Sequence, residues 1–148
     1  LWILGSGPDE EKLKNLAREF KVENIVEFFG HIEPGLISGY LAKADVFVRP
    51  SRSEGLGSSF LEAMGAGMPI IGTPVGGIPD FLEDRKTGLF AKVDDPQDLA
   101  LKIKEILENE NLRQTLVQNG LNLVKQKYDW DLITPKMENI FEKMKIYE

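Results

Sequence analysis

Two carboxylates flank a glycine-punctuated turn in this sequence. Glu54 and Glu62 have seven residues between them, and the run from Pro50 through Ser51, Arg52, Ser53, Glu54, Gly55, Leu56 and Gly57 leads out of an apolar strand into a helix. Gly55 and Gly57 let the backbone turn tightly and approach a ligand closely. The first helical turn leaves the amide N–H groups of Gly57, Ser58 and Ser59 without helical acceptors. Those donors, reinforced by the helix dipole, suit an anion, and a phosphate is the natural guest. A carboxylate beside a phosphate repels it at short range, so its expected use is to accept hydrogen bonds from neighbouring hydroxyls. Acids on both sides of a phosphate-binding turn imply a ligand ordered hydroxyl, phosphate, hydroxyl. A nucleoside diphosphate sugar has that order. Arg52, and less directly Arg49, are the nearby cations available to offset diphosphate charge.

Such a turn needs strands and helices to hold it. Short apolar runs at Leu1–Leu4, Ile25–Phe29, Asp45–Val48, Pro69–Gly72 and Gly88–Ala91 read as strands. Between them, Asp9–Phe20, Gly35–Ala42 and Gly57–Gly65 read as helices, the first from Leu13, Leu16, Ala17 and Phe20 on one face. Pro8 with Asp9, Glu10 and Glu11 suits a helix start, and so does Asp95-Pro96. Leu99, Ile103, Ile106 and Leu107 mark a helix after Asp95-Pro96; Leu112, Leu116, Leu123 and Val124 mark the next; a last helix is expected at about 131–145. Strands alternating with helices imply parallel βαβ units. The expected fold is an α/β, Rossmann-like, doubly wound parallel sheet with helices on both faces and extra C-terminal helices. Ligands in such folds bind at the carboxyl ends of the strands. That places chemistry in the loops Gly5–Pro8, Gly30–Glu33, Pro50–Gly57 and Thr73–Gly77.

Composition narrows the partners. The chain has 148 residues, a length suited to one domain, and a net charge of -6, which argues against a nucleic-acid partner. It has no cysteine and a single histidine, His31, so neither a thiolate nor a multi-histidine metal site is expected. No apolar run approaches a membrane span, and a cytoplasmic setting is expected. The chain opens on Leu1-Trp2-Ile3-Leu4, a strand from its first residue, which leads to the expectation of more chain upstream.

Several ordered motifs resemble one family throughout. They are Gly5-Ser6-Gly7-Pro8, Val26-Glu27-Phe28-Phe29-Gly30, Ala44-Asp45-Val46-Phe47-Val48 and Pro50-Ser51. They continue with Glu54-Gly55-Leu56-Gly57, Leu61-Glu62-Ala63-Met64, Gly67-Met68-Pro69-Ile70-Ile71, Gly76-Gly77-Ile78-Pro79, Thr87-Gly88 and Tyr128-Asp129-Trp130. In this order they resemble the donor-binding domain of family 4 retaining glycosyltransferases of GT-B fold. The resemblance implies that Glu54 contacts the donor hexose and is the catalytic position, that Glu62 binds the ribose hydroxyls, and that the amides of Gly57, Ser58 and Ser59 hold the distal phosphate. It implies that His31 and Ile32 touch the nucleobase through their main chain. Gly5 and Gly7 are included as donor-loop positions, and Arg52 as a donor-binding cation. The implied reaction is sugar transfer from a UDP-, GDP- or ADP-sugar with retention, the donor diphosphate assisting the incoming hydroxyl, without metal or other cofactor.

The family's pattern is not matched everywhere. Asp80 stands where Glu is more usual and Gly65 where Ala is. The basic pair that clamps the diphosphate, and the acceptor-binding domain with its histidine, are expected upstream of Leu1. The acceptor is expected to be a glycan or lipid-linked sugar held by that domain, with peripheral membrane association of the parent protein. Residues 1–148 are thus expected to be one donor domain, its last helix packing partly on the absent partner. Met137, Ile140, Phe141 and Met144 form the apolar side of that helix, and Trp130 is expected to pack beneath it. Gly76-Gly77 reads either as a turn required by geometry or as a lining of the sugar pocket. Alternatives are another GT-B enzyme, such as a glycogen or sucrose synthase-like one, and a non-catalytic nucleotide-binding or assembly module of the same fold.

Overall fold

The structure, a computed structural model, describes residues 1–144. Lys145, the expected end of the last helix, lies outside them. The chain forms two compact units, Leu1–Tyr40 and Leu41–Glu148. Both are built from parallel strands with helices between them, the expected α/β, Rossmann-like class.

In the first unit, β1 (Trp2–Leu4) and β2 (Glu27–Gly30) are joined through helix α1 (Glu10–Glu19). The strands pair in parallel, with Ile3 opposite Phe28 and a register shift before Leu4 meets Gly30. Trp2, Phe29 and Tyr40 pack edge to face, with ring centroids 4.9 to 6.1 Å apart. Tyr40 lies on α2 (Pro34–Leu41). Of the expected apolar face of α1, only Ala17 is buried; Leu13, Leu16 and Phe20 are exposed. The periodicity located the helix, but its apolar stripe has no cover among the described residues of this unit.

The second unit carries both hydrophobic cores. Strands β3 (Phe47–Arg49), β4 (Ile70–Gly72) and β5 (Leu89–Phe90) form a parallel sheet in the order β3-β4-β5. Ile70, Ile71 and Leu89 are fully buried, so the central strand has apolar neighbours on both faces. On one side Phe60, Ala63 and Met64 of α3 (Ser58–Gly65) pack with Ile70, Ile78, Phe81 and Leu82. On the other, Ile71, Leu89 and Ala91 pack with Ile106 of α4 (Pro96–Glu108) and Leu116 of α5 (Glu110–Leu123). Fully burying one side chain of this size stabilises the fold by about 2 kcal/mol.

The start of α4 follows its sequence cue. Asp95 caps α4 by accepting from the Asp98 N–H at 2.9 Å, with Pro96 at the first helical position. Asn109 does the same for α5 from Leu112 N–H at 3.0 Å. The second helix of this pair does not run through Val124 as an α-helix. It widens there into a π turn over Val124–Tyr128, which lets Leu123, Val124 and Tyr128 all reach the α3 core. Helix α6 spans Trp130–Met144, and none of its residues is buried. Trp130, expected to pack beneath this helix, is instead 71% exposed. A tryptophan at a helix start needs a neighbouring surface to cover it, and no described residue supplies one. No helix among the described residues is long and apolar enough to cross a membrane.

Candidate functional site

The turn between β3 and α3 is held open at its helical end. Gly57 is the residue before the helix and takes the left-handed conformation, at φ 72°. A Cβ there would meet Phe60 Cδ2 at 3.0 Å and Glu54 Cγ at 3.2 Å, so both shape and dihedral call for glycine. No side chain caps α3. Phe60 N–H bonds back to the Gly57 carbonyl at 3.0 Å, while the Ser58 and Ser59 N–H groups have no intramolecular acceptor among the described residues. Two of the three expected amides, those of Ser58 and Ser59, are thus left without partners here, while Gly57 is buried. The helix is pinned from beneath by Phe60, whose ring stands 5.3 Å from Phe47 and 5.8 Å from Phe81.

Glu54 sits in the loop with its side chain only 14% exposed. Its Oε2 forms an ion pair with Arg49 Nη2 at 3.0 Å and accepts a hydrogen bond from Ser51 Oγ at 3.2 Å. Arg49 also donates from Nη1 to Ser59 Oγ at 2.7 Å. One guanidinium therefore joins the end of β3, the Glu54 loop and the first turn of α3. Glu62 is exposed on α3 and has no ion pair or side-chain hydrogen bond among the described residues. Arg52 is turned to Asp94, with Nε 2.7 Å from Oδ1, and that hydrogen bond raises its pKa further above the ordinary arginine value.

The loop backbone is braced by the end of β4. Thr73, fully buried, donates its hydroxyl to the Ser51 carbonyl. Gly77 N–H donates to the Gly55 carbonyl at 2.9 Å. Gly76 stands so close that a Cβ there would lie 1.8 Å from the Glu54 carbonyl oxygen. Gly76-Gly77 is thus a close-packed support for the Glu54 loop.

In the first unit, Gly5 N–H donates to the Gly30 carbonyl at 2.7 Å, tying the two strand-end loops together. Gly7 is exposed in one of them. His31 is exposed in the other, 3.8 Å from Glu33, and Ile32 is half-buried. The structure therefore brings Glu54, Gly57, Ser58 and Ser59 together, with Glu62 further along the same helix. It brings Gly5 to the His31 loop separately.

Three residues of this arrangement were missed or underweighted in the sequence: Arg49, Ser51 and Thr73. Arg49 is the last residue of β3, whereas the apolar run ends at Val48. Extending the strand by one residue would have placed it at the ligand-binding carboxyl end. A groove of about 800 Å³ lies elsewhere in the second unit. It is lined by Asp45, Met68 and Pro69, before β3 and β4, and by Arg113 and Val117 of α5. None of the expected site residues lines it, and the strand-end rule favours the Glu54 turn over this hollow. No group of three or more potential metal ligands occurs among the described residues.

A family model described as "Glycosyl transferases group 1" matches residues 1–123. An uncharacterised glycosyltransferase of Methanocaldococcus jannaschii is 32% identical over 142 residues, 96% of this chain and 40% of that protein. A GDP-mannose-dependent alpha-(1-6)-phosphatidylinositol monomannoside mannosyltransferase of Mycobacterium tuberculosis is 33% identical over 144 residues, 93% of this chain and 37% of that protein. Among solved structures, the sucrose-phosphate synthase of Thermosynechococcus elongatus superposes with a TM-score of 0.92 at 28% identity, over 100% of this chain and 39% of that one. The chain thus spans about 40% or less of the length of these relatives.

Proposed function

The chain belongs to the group 1 glycosyl transferases, and on that premise we propose that it is the nucleotide-sugar-binding half of a retaining hexosyltransferase. The observation that carries this reading is the unoccluded leading end of α3, with free amides at Ser58 and Ser59 and the half-sequestered Glu54 beside it. In this reading the donor diphosphate lies against those amides. Glu54 accepts from hexose hydroxyls, and Glu62 accepts from the ribose.

The amides act most strongly on the leaving diphosphate. As the bond from the anomeric carbon to the phosphate oxygen breaks, charge grows on the diphosphate, and fixed donors stabilise that charge. The acceptor hydroxyl passes its proton to the departing phosphate oxygen and bonds to the same face of the sugar. No metal is needed in this scheme. The acceptor, a glycan or lipid-linked sugar, is held by a second half of the enzyme, and the exposed side of α6 packs partly against that half. The parent enzyme works in polysaccharide or glycolipid synthesis in the cytoplasm, at the membrane face.

Titration of this chain with UDP, GDP and ADP and their hexose conjugates, followed by NMR, tests the reading. Shifts confined to the Glu54–Glu62 segment and the strand-end loops support it. Absence of binding to every ligand at millimolar concentration would favour a scaffold module of the same fold. The likeness to a sucrose-phosphate synthase keeps a sucrose synthase-like acceptor as a second reading, to be separated by product analysis with the intact enzyme.

A further inference from the structure

We propose that Arg49 is a positioning residue of the donor site: it fixes the Glu54 carboxylate so that one oxygen is anchored and the other is presented to the sugar. The inference rests on the donor-site reading above and adds a residue to it.

Both polar contacts of Glu54 fall on the same atom. Oε2 takes the Arg49 guanidinium at 3.0 Å and the Ser51 hydroxyl at 3.2 Å, and Oε1 takes no donor among the described residues. No buried side-chain oxygen there lacks a hydrogen-bond partner, so Oε1 reaches the surface. A ligand hydroxyl can be accepted at this surface oxygen, on a side chain that is otherwise mostly covered. A carboxylate held through one oxygen has a defined plane, and its other lone pairs point in fixed directions. That is what selects one arrangement of sugar hydroxyls over another.

Arg49 suits this task better than a lysine. Its planar fork reaches two partners at once, Nη2 to Glu54 and Nη1 to Ser59 Oγ at 2.7 Å. It thereby sets the distance between the sugar-side carboxylate and the first turn of α3, where the diphosphate is proposed to lie. The Arg49 side chain is 46% exposed and that of Glu54 14%, so the pair lies at the edge of the fold, where Arg49 reaches the surface. Arg52, three residues on, is engaged by Asp94 and does not substitute for it.

The test compares affinities for UDP and UDP-glucose, GDP and GDP-mannose, and ADP and ADP-glucose in this chain, in Arg49→Leu, in Arg49→Lys, in Glu54→Ala and in the double variant Arg49→Leu/Glu54→Ala. The readout is the preference for the sugar conjugate over its bare nucleotide. Arg49→Leu is expected to cut that preference about tenfold, the loss for the sugar conjugate exceeding any loss for the bare nucleotide. Arg49→Lys, which keeps the charge but not the fork, is expected to restore part of the preference. In the Glu54→Ala background, Arg49→Leu is expected to have no further effect, the signature of a residue acting through Glu54. An unchanged preference in Arg49→Leu, equal losses for both ligand types, or additive effects of the two substitutions would overturn the proposal and leave the donor site standing. If the unaltered chain binds no ligand of the panel, the donor-site reading and this proposal fall together.

Discussion

The carbonyl oxygen of Glu54 occupies the space that a β-carbon on Gly76 would take, at 1.8 Å from its ideal position. The loop after β4 is therefore packed against the loop after β3 without room for a side chain between them. Gly76 is also left-handed, at φ 54°. Gly76→Ala is expected to destabilise the chain by about 2 kcal/mol or more, combining the left-handed strain with displacement of the Glu54 backbone. Gly55→Ala is the control, since a Cβ there meets nothing within 4 Å, and it is expected to cost less than about 1 kcal/mol. Urea unfolding of both variants gives the comparison, and equal losses would contradict the packing described.

Thr73 supplies the matching polar support. Thr73→Val keeps the shape and removes the hydroxyl that donates to the Ser51 carbonyl. A loss of about 1–2 kcal/mol is expected in Thr73→Val and much less in Thr73→Ser. The same unfolding measurement serves, with nucleotide affinity as a second readout of loop position.

Glu54 and Glu62 are expected to divide the donor between them. Glu54→Ala should lower affinity for nucleotide sugars about tenfold while sparing bare nucleotides, and Glu62→Ala should weaken both by a similar factor. Because Glu62 is exposed and has no ion pair among the described residues, its replacement should leave thermal stability nearly unchanged. Calorimetric titration separates the two patterns, and identical profiles for the two variants would contradict the assignment.

Asp95 is a structural prediction independent of function. Its carboxylate caps α4, so Asp95→Ala should cost about 1 kcal/mol and Asp95→Ser rather less. Chemical denaturation reads this directly.

Met137, Ile140, Phe141 and Met144 are all exposed on one side of α6. Such a patch promotes association. At high concentration the isolated chain is expected to self-associate, and Phe141→Glu is expected to restore a monomer in light scattering without lowering the unfolding midpoint.

Much of the architecture is written locally in the sequence. Asp95-Pro96 announces α4 because capping and a fixed proline φ act within a few residues. The apolar runs at Ile70-Ile71 and Leu89-Phe90 announce strands because both faces of this sheet are dry. The boundaries of β3 are less legible, since its ladder is set by pairing Phe47 with Ile70 and Arg49 with Gly72 across the sheet. The same gap hid Arg49, which reads as a surface cation until the fold turns it toward Glu54 and Ser59. The exposure of Trp130 is not legible locally, because whether a large ring is covered depends on surfaces remote from it in sequence. The π turn at Val124–Tyr128 was missed for a related reason: widening the helix is favoured only once the α3 core is there to receive the side chains.

The bracing of the Glu54 loop by Thr73, Gly76 and Gly77 has a kinetic consequence. Two backbone segments locked edge to edge during folding leave little main-chain freedom to be lost when a ligand arrives. Donor capture by this loop should then follow a single exponential whose rate rises linearly with ligand concentration, showing no plateau from a slow rearrangement.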